Sequence, residues 1–225
     1  MTLPSPADEA LLERDRSVPA IELVVDQGAL ERAVAQIPES LGGTPRVRRL
    51  RYKPGSAVHA SVEVVRDGQP SVWFLLAGYA PSSAPKLVKD IEAAGASAAS
   101  STSGRWVLAP ARTDRALALD RSWPVGFDAL GSDPSSYALM AYNPRRRVVV
   151  GHPGPNGRQV SKAYASGTRR PRPALLAALR RAGVPTTASA DSRWPRVLTF
   201  HWVDGRQVDV HADGAAAADS LAVLH

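Results

Sequence analysis

The sequence predicts an α+β protein in which one structural unit occurs twice. The strand-like segments RYKP at 51–54 and AYNP at 141–144 match each other at a separation of about 90 residues. After each segment comes the same order of patterns: a turn, a second strand, a helix closed by a glycine, and a further strand. With 225 residues, of which 44% are hydrophobic and 22% charged, the chain has the composition and length for one large or two small globular domains.

Residues 1–45 form a lead-in to the first unit. A polar segment with the pattern of a frayed start or a short helix comes first, followed by an apolar run, VPAIELVV at 18–25, that is typical of a strand. The segment 26–37 has helical spacing. Asp26 is a good N-cap because its carboxylate can accept backbone N–H groups of the first turn. The sequence therefore predicts a strand and then a helix ahead of the first unit.

The first unit covers residues 46–130, and a polar linker rich in turn formers, GSDPSS at 131–136, separates it from the second. A low-complexity stretch at 95–104 is predicted to be a loop. The other predicted elements are strands within 46–65, a turn at Asp67-Gly68, a strand at 72–80, a helix at 84–94 stopped by Gly95, and a strand at 105–110 followed by a polar turn at Thr113-Asp114.

The second unit covers residues 137–225 and carries a lysine, Lys162, near the end of its second strand segment, where the first unit has Leu76. Pro173 suits the first turn of a helix and Gly183 suits a helix end. The predicted elements are a strand with the β-branched run at 148–150, a loop at 152–157 (HPGPNG), a strand at 158–165, a helix at 173–182, a strand at 196–203, a turn at Asp204-Gly205, and a helix at 214–225.

Five short motifs of the second unit occur in an order that resembles the N-terminal lobe of the aminoglycoside phosphotransferase-like kinases of the actinobacterial branch. They are a YxPxRR strand, a strand ending in K-x-Y, a helix closing with R-x-x-G-V-P, a W-x-x-G-R turn and a final L-A-x-L-H helix. Here the motifs stand at Tyr142, Pro144, Arg146 and Arg147; Lys162 and Tyr164; Arg180, Gly183, Val184 and Pro185; Trp202, Gly205 and Arg206; and Leu221, Ala222, Leu224 and His225.

The resemblance implies two tandem kinase-like N-lobe units, binding of ATP and Mg²⁺, and transfer of the γ-phosphate to a hydroxyl of a small molecule. Lys162 would contact the nucleotide phosphates, and the loop with Gly154, Asn156 and Gly157 would cover them with backbone N–H groups. The strand with Phe200, His201 and Trp202 would form the hinge that pairs with adenine and packs on its ring.

Two parts of the family's machinery do not occur in the sequence. No glutamate lies between 166 and 191, so the usual acidic partner of the lysine would come from elsewhere. The catalytic H-G-D motif with its following asparagine and the later magnesium aspartate are missing as well, since His211-Ala212-Asp213 is followed by Ala218. The family's C-terminal lobe would then be supplied by a partner chain or by sequence beyond His225. For this reason no catalytic residue or metal ligand is assigned.

Composition excludes several other chemistries. The chain has no cysteine, and its five histidines lack zinc-ligand spacing. No apolar run approaches the roughly 20 residues of a membrane span, and the acidic start does not fit a signal peptide, so we expect a cytoplasmic location. The net charge of +7 and the arginine clusters at 46–51, 145–147 and 169–172 would suit nucleic acid. Because these clusters are scattered and no nucleic-acid-binding motif occurs, that partner is disfavoured.

Three hypotheses follow from the sequence. The first and favoured one is the nucleotide-binding portion of a small-molecule phosphotransferase, incomplete as a catalyst alone. The second is a non-catalytic, pseudokinase-like binding or scaffold module. The third is a basic protein that binds nucleic acid. The acceptor molecule cannot be named from these residues.

Overall fold

The computed structural model describes residues 5–40, 42–95, 98–101, 105–123, 137–183, 189–190 and 194–202. In these residues the chain folds into two five-stranded antiparallel sheets with packed helices, which confirms the predicted α+β class. None of the described helices is long and apolar enough to span a membrane. The predicted linker at 131–136, the turn at Asp204-Gly205 and the helix at 214–225 lie outside the described residues.

The two sheets have the same strand order. In each, the first three strands form an antiparallel meander, the fifth strand pairs with the third, and the short fourth strand lies outside the fifth. Sheet 1 consists of β1 (Thr44–Lys53), β2 (Ala57–Arg66), β3 (Gln69–Tyr79), β4 (Ala99–Ser100) and β5 (Trp106–Pro110). Sheet 2 consists of β6 (Ala138–Asn143), β7 (Arg147–Gly154), β8 (Gly157–Tyr164), β9 (Ser189–Ala190) and β10 (Val197–His201).

A helix follows the third strand of each sheet. The helix of unit 1 is followed by Gly95, which has a φ of 59°, and the helix of unit 2 is followed by Gly183 with a φ of 81°. Both glycines have a positive φ, which glycine adopts without steric cost. The described helices are α1 (Pro6–Arg14), α2 (Glu22–Val25), α3 (Gln27–Val34), α4 (Ala84–Ala94), α5 (Leu119–Ser122) and α6 (Pro173–Arg181).

The predicted strand at 18–25 is wrong, because this segment forms a 3-10 turn, Pro19–Ile21, that runs into α2. Proline fixes its own φ near the helical value and has no N–H to give to a sheet, so it starts a helical turn readily. Ala20 and Ile21 are buried against sheet 1. The predicted N-cap is confirmed, since the Asp26 carboxylate accepts from the N–H groups of Gly28 and Ala29 at 2.8 and 3.1 Å.

The predicted loop at 152–157 is also largely wrong. Strand β7 continues to Gly154, which pairs with Gly157, and only two residues form the turn. In a hairpin with a two-residue turn, the pair that flanks the turn, here Gly154 and Gly157, is hydrogen-bonded, and the next pair is not. A backbone N–H at position 153, which proline lacks, would therefore point away from β8. On that side β6 reaches only to Ala138, opposite Gly151, as far as the described residues go. Pro153 therefore costs no ladder bond there.

Two core clusters hold the layers together. The first lies between the lead-in segment and one face of sheet 1, and it includes Leu30, Ile37 and Leu76. The second includes residues of both units, because the other face of sheet 1, helix α4 and one face of sheet 2 share it with the connecting segment. Leu117 and Trp123 of that segment are buried there. The two units are thus joined through a common apolar core.

Gly78 of β3 is the point of closest approach between sheet 1 and the lead-in. A Cβ at this position would lie 2.1 Å from the Cβ of Ala20. We expect Gly78→Ala to lower the free energy of unfolding by about 1–3 kcal/mol, because the lead-in must move off the sheet. Urea denaturation measures this loss. The double variant Gly78→Ala with Ala20→Gly should recover part of it, and a single variant as stable as the native chain would contradict the close packing.

Candidate functional site

Lys162 lies on β8, the third strand of sheet 2. It is opposite Val149 of β7 on one side and Leu198 of β10 on the other. Its side chain is half-buried, and its Nζ lies 4.9 Å from the centre of the Phe200 ring. A cation over an aromatic face at this distance is attracted by the ring. The lysine is therefore held on the sheet surface and does not extend freely into water.

The strand register defines which side chains share the surface with Lys162. Residues directly opposite one another in an antiparallel sheet lie on the same face, as do alternate residues along a strand. We call this surface the lysine face. It carries Arg147, Val149, Arg158, Val160, Lys162, Tyr164, Leu198, Phe200 and, just beyond β10, Trp202.

Helix α6 packs against one end of the lysine face. Tyr164, Leu198 and Phe200 form a small buried cluster there, with Leu176 of the helix against it. Val149, opposite Lys162 on β7, and Val160 are only half-buried. The lysine face is therefore closed by the helix along β10 and has a partly open apolar surface at Val149 and Val160.

The structure brings together three of the seven residues that were predicted to bind nucleotide. Phe200 and Trp202 lie on the lysine face with Lys162, whereas His201 alternates to the opposite face. The remaining three, Gly154, Asn156 and Gly157, lie at the tip of the β7–β8 hairpin. Gly157 is five residues from Lys162 along β8, about 16 Å at the usual rise of a strand. The structure thus does not place this hairpin tip beside the lysine.

Gly154 has a packing role that the sequence did not suggest. A Cβ at this position would lie 2.3 Å from the side chain of Gln159, which is buried under the hairpin. The glycine therefore makes room for this side chain.

The position of Lys162 in the first unit is held by Ala77 and not by Leu76 as the sequence alignment had it. Ala77 lies opposite His59 and Val107, just as Lys162 lies opposite Val149 and Leu198. Leu76 points to the other face and belongs to the first core cluster. The corresponding face of sheet 1 is buried in the second core cluster. An open face with a lysine is thus a property of unit 2.

Arg147 is the residue of the lysine face that sequence reasoning did not assign to the site. It lies opposite Tyr164, one diagonal step from Lys162. Burial lowers the pKa of Lys162, and the positive charge of Arg147 lowers it further. Burial raises the pKa of Tyr164, with Arg147 and Arg170 acting in the opposite direction. The alternation of β7 in the YxPxRR motif was the available signal for this residue.

The cations of the lysine face have no carboxylate partner among the residues that the structure describes. Helix α6 contains no acidic residue, which agrees with the expectation that the usual glutamate does not come from the helix after Lys162. The described residues also hold no group of three or more His, Asp or Glu side chains that could bind a metal ion.

A second polar cluster lies between the two units and was not predicted. We call it the interface network. Arg145, in the turn between β6 and β7, donates to the carboxylate of Asp90 on α4, and its other Nη lies 3.5 Å from Asp114 Oδ1. It also donates to the Tyr79 hydroxyl at 2.9 Å. Arg115 donates to the second oxygen of Asp90 at 2.7 Å. The network therefore ties the β6–β7 turn of unit 2 to unit 1.

His59 is the titratable group at the edge of this network. Its Nε2 lies 3.0 Å from the Tyr79 hydroxyl, which itself donates to Asp90 at 2.9 Å. Burial lowers the pKa of His59 to about 4, with a further contribution from the charge of Arg145. Burial also raises the pKa of Tyr79. Both groups are therefore neutral near neutral pH and act as fixed hydrogen-bonding partners.

One motif of the network is duplicated in the two units. At the first turn of sheet 2, Asp114 Oδ2 accepts from the Tyr142 hydroxyl at 2.9 Å and from the N–H of Arg145 at 2.8 Å. At the first turn of sheet 1, Asp15 Oδ2 accepts from Tyr52 at 2.6 Å and from the N–H of Gly55 at 2.7 Å. Arg145 and Gly55 both have a φ of 62°. An aspartate before each sheet thus fixes the first turn of that sheet.

A third polar group lies on the opposite face of sheet 2. The Ser161 hydroxyl is 2.8 Å from His152 Nε2 and 2.8 Å from the Thr199 hydroxyl, while His152 Nδ1 lies 2.6 Å from the carbonyl oxygen of Pro153. Ser161 is only 1% exposed. This arrangement satisfies buried hydroxyls and does not present a nucleophile to a substrate.

Fold and site together define a chain with two antiparallel-sheet units, of which the second presents an open, cationic lysine face. Comparisons of the chain with protein-family models, with curated proteins and with solved structures found no match. What the chain does has to follow from the geometry of the lysine face.

Proposed function

We propose that the chain is a nucleotide-binding module of the kinase-like type, in which Lys162 contacts the phosphates of ATP. One observation carries the proposal: Lys162 lies on the third strand of an antiparallel sheet, with a helix directly after that strand. Protein kinases hold their phosphate-binding lysine on the third strand of the N-terminal sheet, and a helix follows it. The surrounding surface suits a nucleotide, because apolar side chains lie on either side of the lysine.

The base and the phosphates would occupy different parts of the lysine face. Val149 and Val160 offer half-buried apolar surface, and Trp202 supplies a half-buried aromatic ring on the same face, while Phe200 is buried under α6 beside Val160. The ammonium of Lys162 supplies charge for the phosphates. The β6–β7 turn lies closer to Lys162 than the hairpin tip does, since β7 begins at Arg147, two residues before Val149. That turn is therefore the better candidate to border the phosphates.

Transfer of the γ-phosphate to a hydroxyl needs more than these residues provide. A catalytic aspartate near the acceptor and ligands for magnesium are required. The described residues hold no group of three or more potential metal ligands, and no magnesium ligand is assigned among them. We therefore propose nucleotide binding for this module and derive no transfer step from it.

A non-catalytic scaffold is the second candidate, and one observation favours it. Lys162 lacks a carboxylate partner among the described residues, and unit 1 has Ala77 at the equivalent position with its face buried against unit 2. In this alternative, unit 1 serves only to pack against unit 2. Unit 2 would keep its lysine face as a binding surface for a partner.

Titration calorimetry of magnesium-ATP into the purified chain tests the nucleotide proposal. We expect Lys162→Ala to weaken binding by ten-fold or more, about 1.4 kcal/mol, because the phosphates lose their nearest charge. Lys89→Ala is the matched control, since Lys89 is exposed on α4 of unit 1 and should leave the affinity unchanged.

The other outcomes separate the candidates. No heat of ATP binding in the native chain, either with Mg²⁺ or in EDTA, would sink the nucleotide proposal and leave the scaffold. Binding that Lys162→Ala leaves unchanged would show that nucleotide binds away from the lysine face. Binding to DNA or RNA that falls steeply with salt, without ATP binding, would favour the nucleic-acid hypothesis.

A further inference from the structure

The lysine face holds more positive charge than one lysine. Arg147 lies one diagonal step from Lys162, because it is opposite Tyr164 while Lys162 is opposite Val149. Diagonal neighbours in an antiparallel pair have their Cβ atoms about 7–8 Å apart, which long side chains can span. Arg170 also lies close enough to Tyr164 for its charge to act on that hydroxyl. Two cations, Arg147 and Arg170, thus act on Tyr164, and Lys162 lies two residues away from it on the same strand face.

Lys162 is half-buried and Arg147 is exposed, and like charges placed beside each other repel and cost free energy. Elsewhere in the described chain such groups are neutralised: Arg145 and Arg115 share Asp90, and Arg48 contacts Glu63. Arg147 and Lys162 have no such carboxylate among the described residues. The repulsion is relieved when an anion with several charges binds between them.

Resting on the proposed nucleotide function, we propose that the lysine face binds the triphosphate of ATP without a divalent cation, with Arg147 as the second phosphate-binding charge beside Lys162. A triphosphate is a polyanion, and two fixed cations at this spacing can each contact a different phosphate. The guanidinium of Arg147 can bind phosphate oxygens in a bidentate manner, whereas Lys162 acts as a point charge.

A divalent ion works against this arrangement. Magnesium bound to ATP neutralises part of the phosphate charge and adds two positive charges next to Arg147 and Lys162. The described residues hold no group of three or more potential ligands, so the ion would be held mainly by the phosphates and by water. The positive charge that kinases obtain from magnesium would here come from the side chain of Arg147.

Titration calorimetry of ATP in EDTA and in excess Mg²⁺, on the whole chain, tests the proposal. We expect the affinity in EDTA to equal or exceed that in Mg²⁺ by up to about ten-fold. Arg147→Ala should weaken binding of ATP in EDTA by about ten-fold. Arg147→Lys should weaken it less, because the charge remains and only the bidentate contact is lost. Inorganic tripolyphosphate should compete with ATP for the native chain.

Two controls separate a phosphate contact from a structural role. Arg16→Ala removes an exposed arginine that pairs only with Glu13 and should not change ATP affinity. AMP lacks the outer phosphates, so its affinity should be the same for the native chain and for Arg147→Ala. A variant that had lost the shape of the site would bind AMP more weakly as well.

The outcomes also distinguish this proposal from the nucleotide function on which it rests. ATP binding that requires Mg²⁺, or that Arg147→Ala leaves unchanged, overturns the metal-free site and leaves the nucleotide function standing. No ATP binding in either buffer overturns both. Binding in EDTA that the alanine variant weakens and the lysine variant retains supports both.

Discussion

Replacing Asp114 with alanine is expected to lower the free energy of unfolding by about 3–5 kcal/mol, because it breaks a buried ion pair on one side only. Asp114 is 1% exposed and accepts from the Tyr142 hydroxyl and the N–H of Arg145. Its other oxygen lies 3.5 Å from the Arg145 guanidinium. The alanine leaves the Tyr142 hydroxyl and the backbone N–H of Arg145 without this acceptor, and the Arg145 guanidinium keeps Asp90 as its carboxylate partner. Urea denaturation of the variant measures the loss.

The duplicated motif provides a matched control. Asp15 accepts from a tyrosine hydroxyl and a turn N–H in the same way, but the structure gives it no ion pair with an arginine at the equivalent turn, where Gly55 stands. Asp15→Ala should therefore cost less, about 1–3 kcal/mol for the unsatisfied donors. Equal losses at the two positions would contradict a special role for Arg145 in joining the units.

The sequence was sufficient for features that depend on neighbouring residues. The α+β class, the helices at 84–94 and 173–182 and the Asp26 cap are local properties, and the structure has all of them. The predictions for the segments at 18–25 and 152–157 were wrong for a physical reason. A short apolar run fits a strand or a helix equally well, and proline and glycine mark a hairpin tip as readily as a loop.

The sequence could not predict which residues of the two units are structurally equivalent, because the units differ in length. Tyr52 and Tyr142 are 90 positions apart, whereas Tyr79 and Tyr164 are 85 apart, so the β2–β3 hairpin is longer than the β7–β8 hairpin. Strand pairing also shifts at a bulge between Val64 and Arg66. A one-residue slip moves a side chain to the other face of a sheet. This explains why Leu76 was aligned with Lys162 in place of Ala77.

The interface network could not be predicted because its members are far apart in the chain. Arg145 reaches Asp90 across 55 positions and Asp114 across 31. In the sequence alone, nothing distinguishes Arg145, Asp90 and Asp114 from the many charged residues that lie on protein surfaces. The candidate site shows the same limit. Lys162 was recognised from its sequence motif, whereas the strand register was needed to place Arg147 beside it.

Acidification is expected to destabilise the protein between pH 6.5 and about 4 through His59. Burial, with a contribution from Arg145, lowers the pKa of this imidazole from 6.5 to about 4. As the pH falls, His59 binds a proton at a higher pH in the unfolded chain than in the folded chain. The stabilisation from the neutral imidazole is therefore complete above pH 6.5 and is lost as the pH falls toward 4. The shift corresponds to at most about 3 kcal/mol.

His59→Gln isolates this contribution. The amide can still donate to the Tyr79 hydroxyl, which His59 Nε2 approaches to 3.0 Å, but it does not titrate. Urea denaturation at neutral pH and near pH 4.5 should show a loss about 2–3 kcal/mol larger in the native chain than in the variant. The imidazole resonances of His59 should stay in the neutral form down to about pH 4. Equal losses of unfolding free energy in both proteins would contradict the prediction. Acid would then act through groups other than His59, and the contact of His59 with the interface network would not depend on pH.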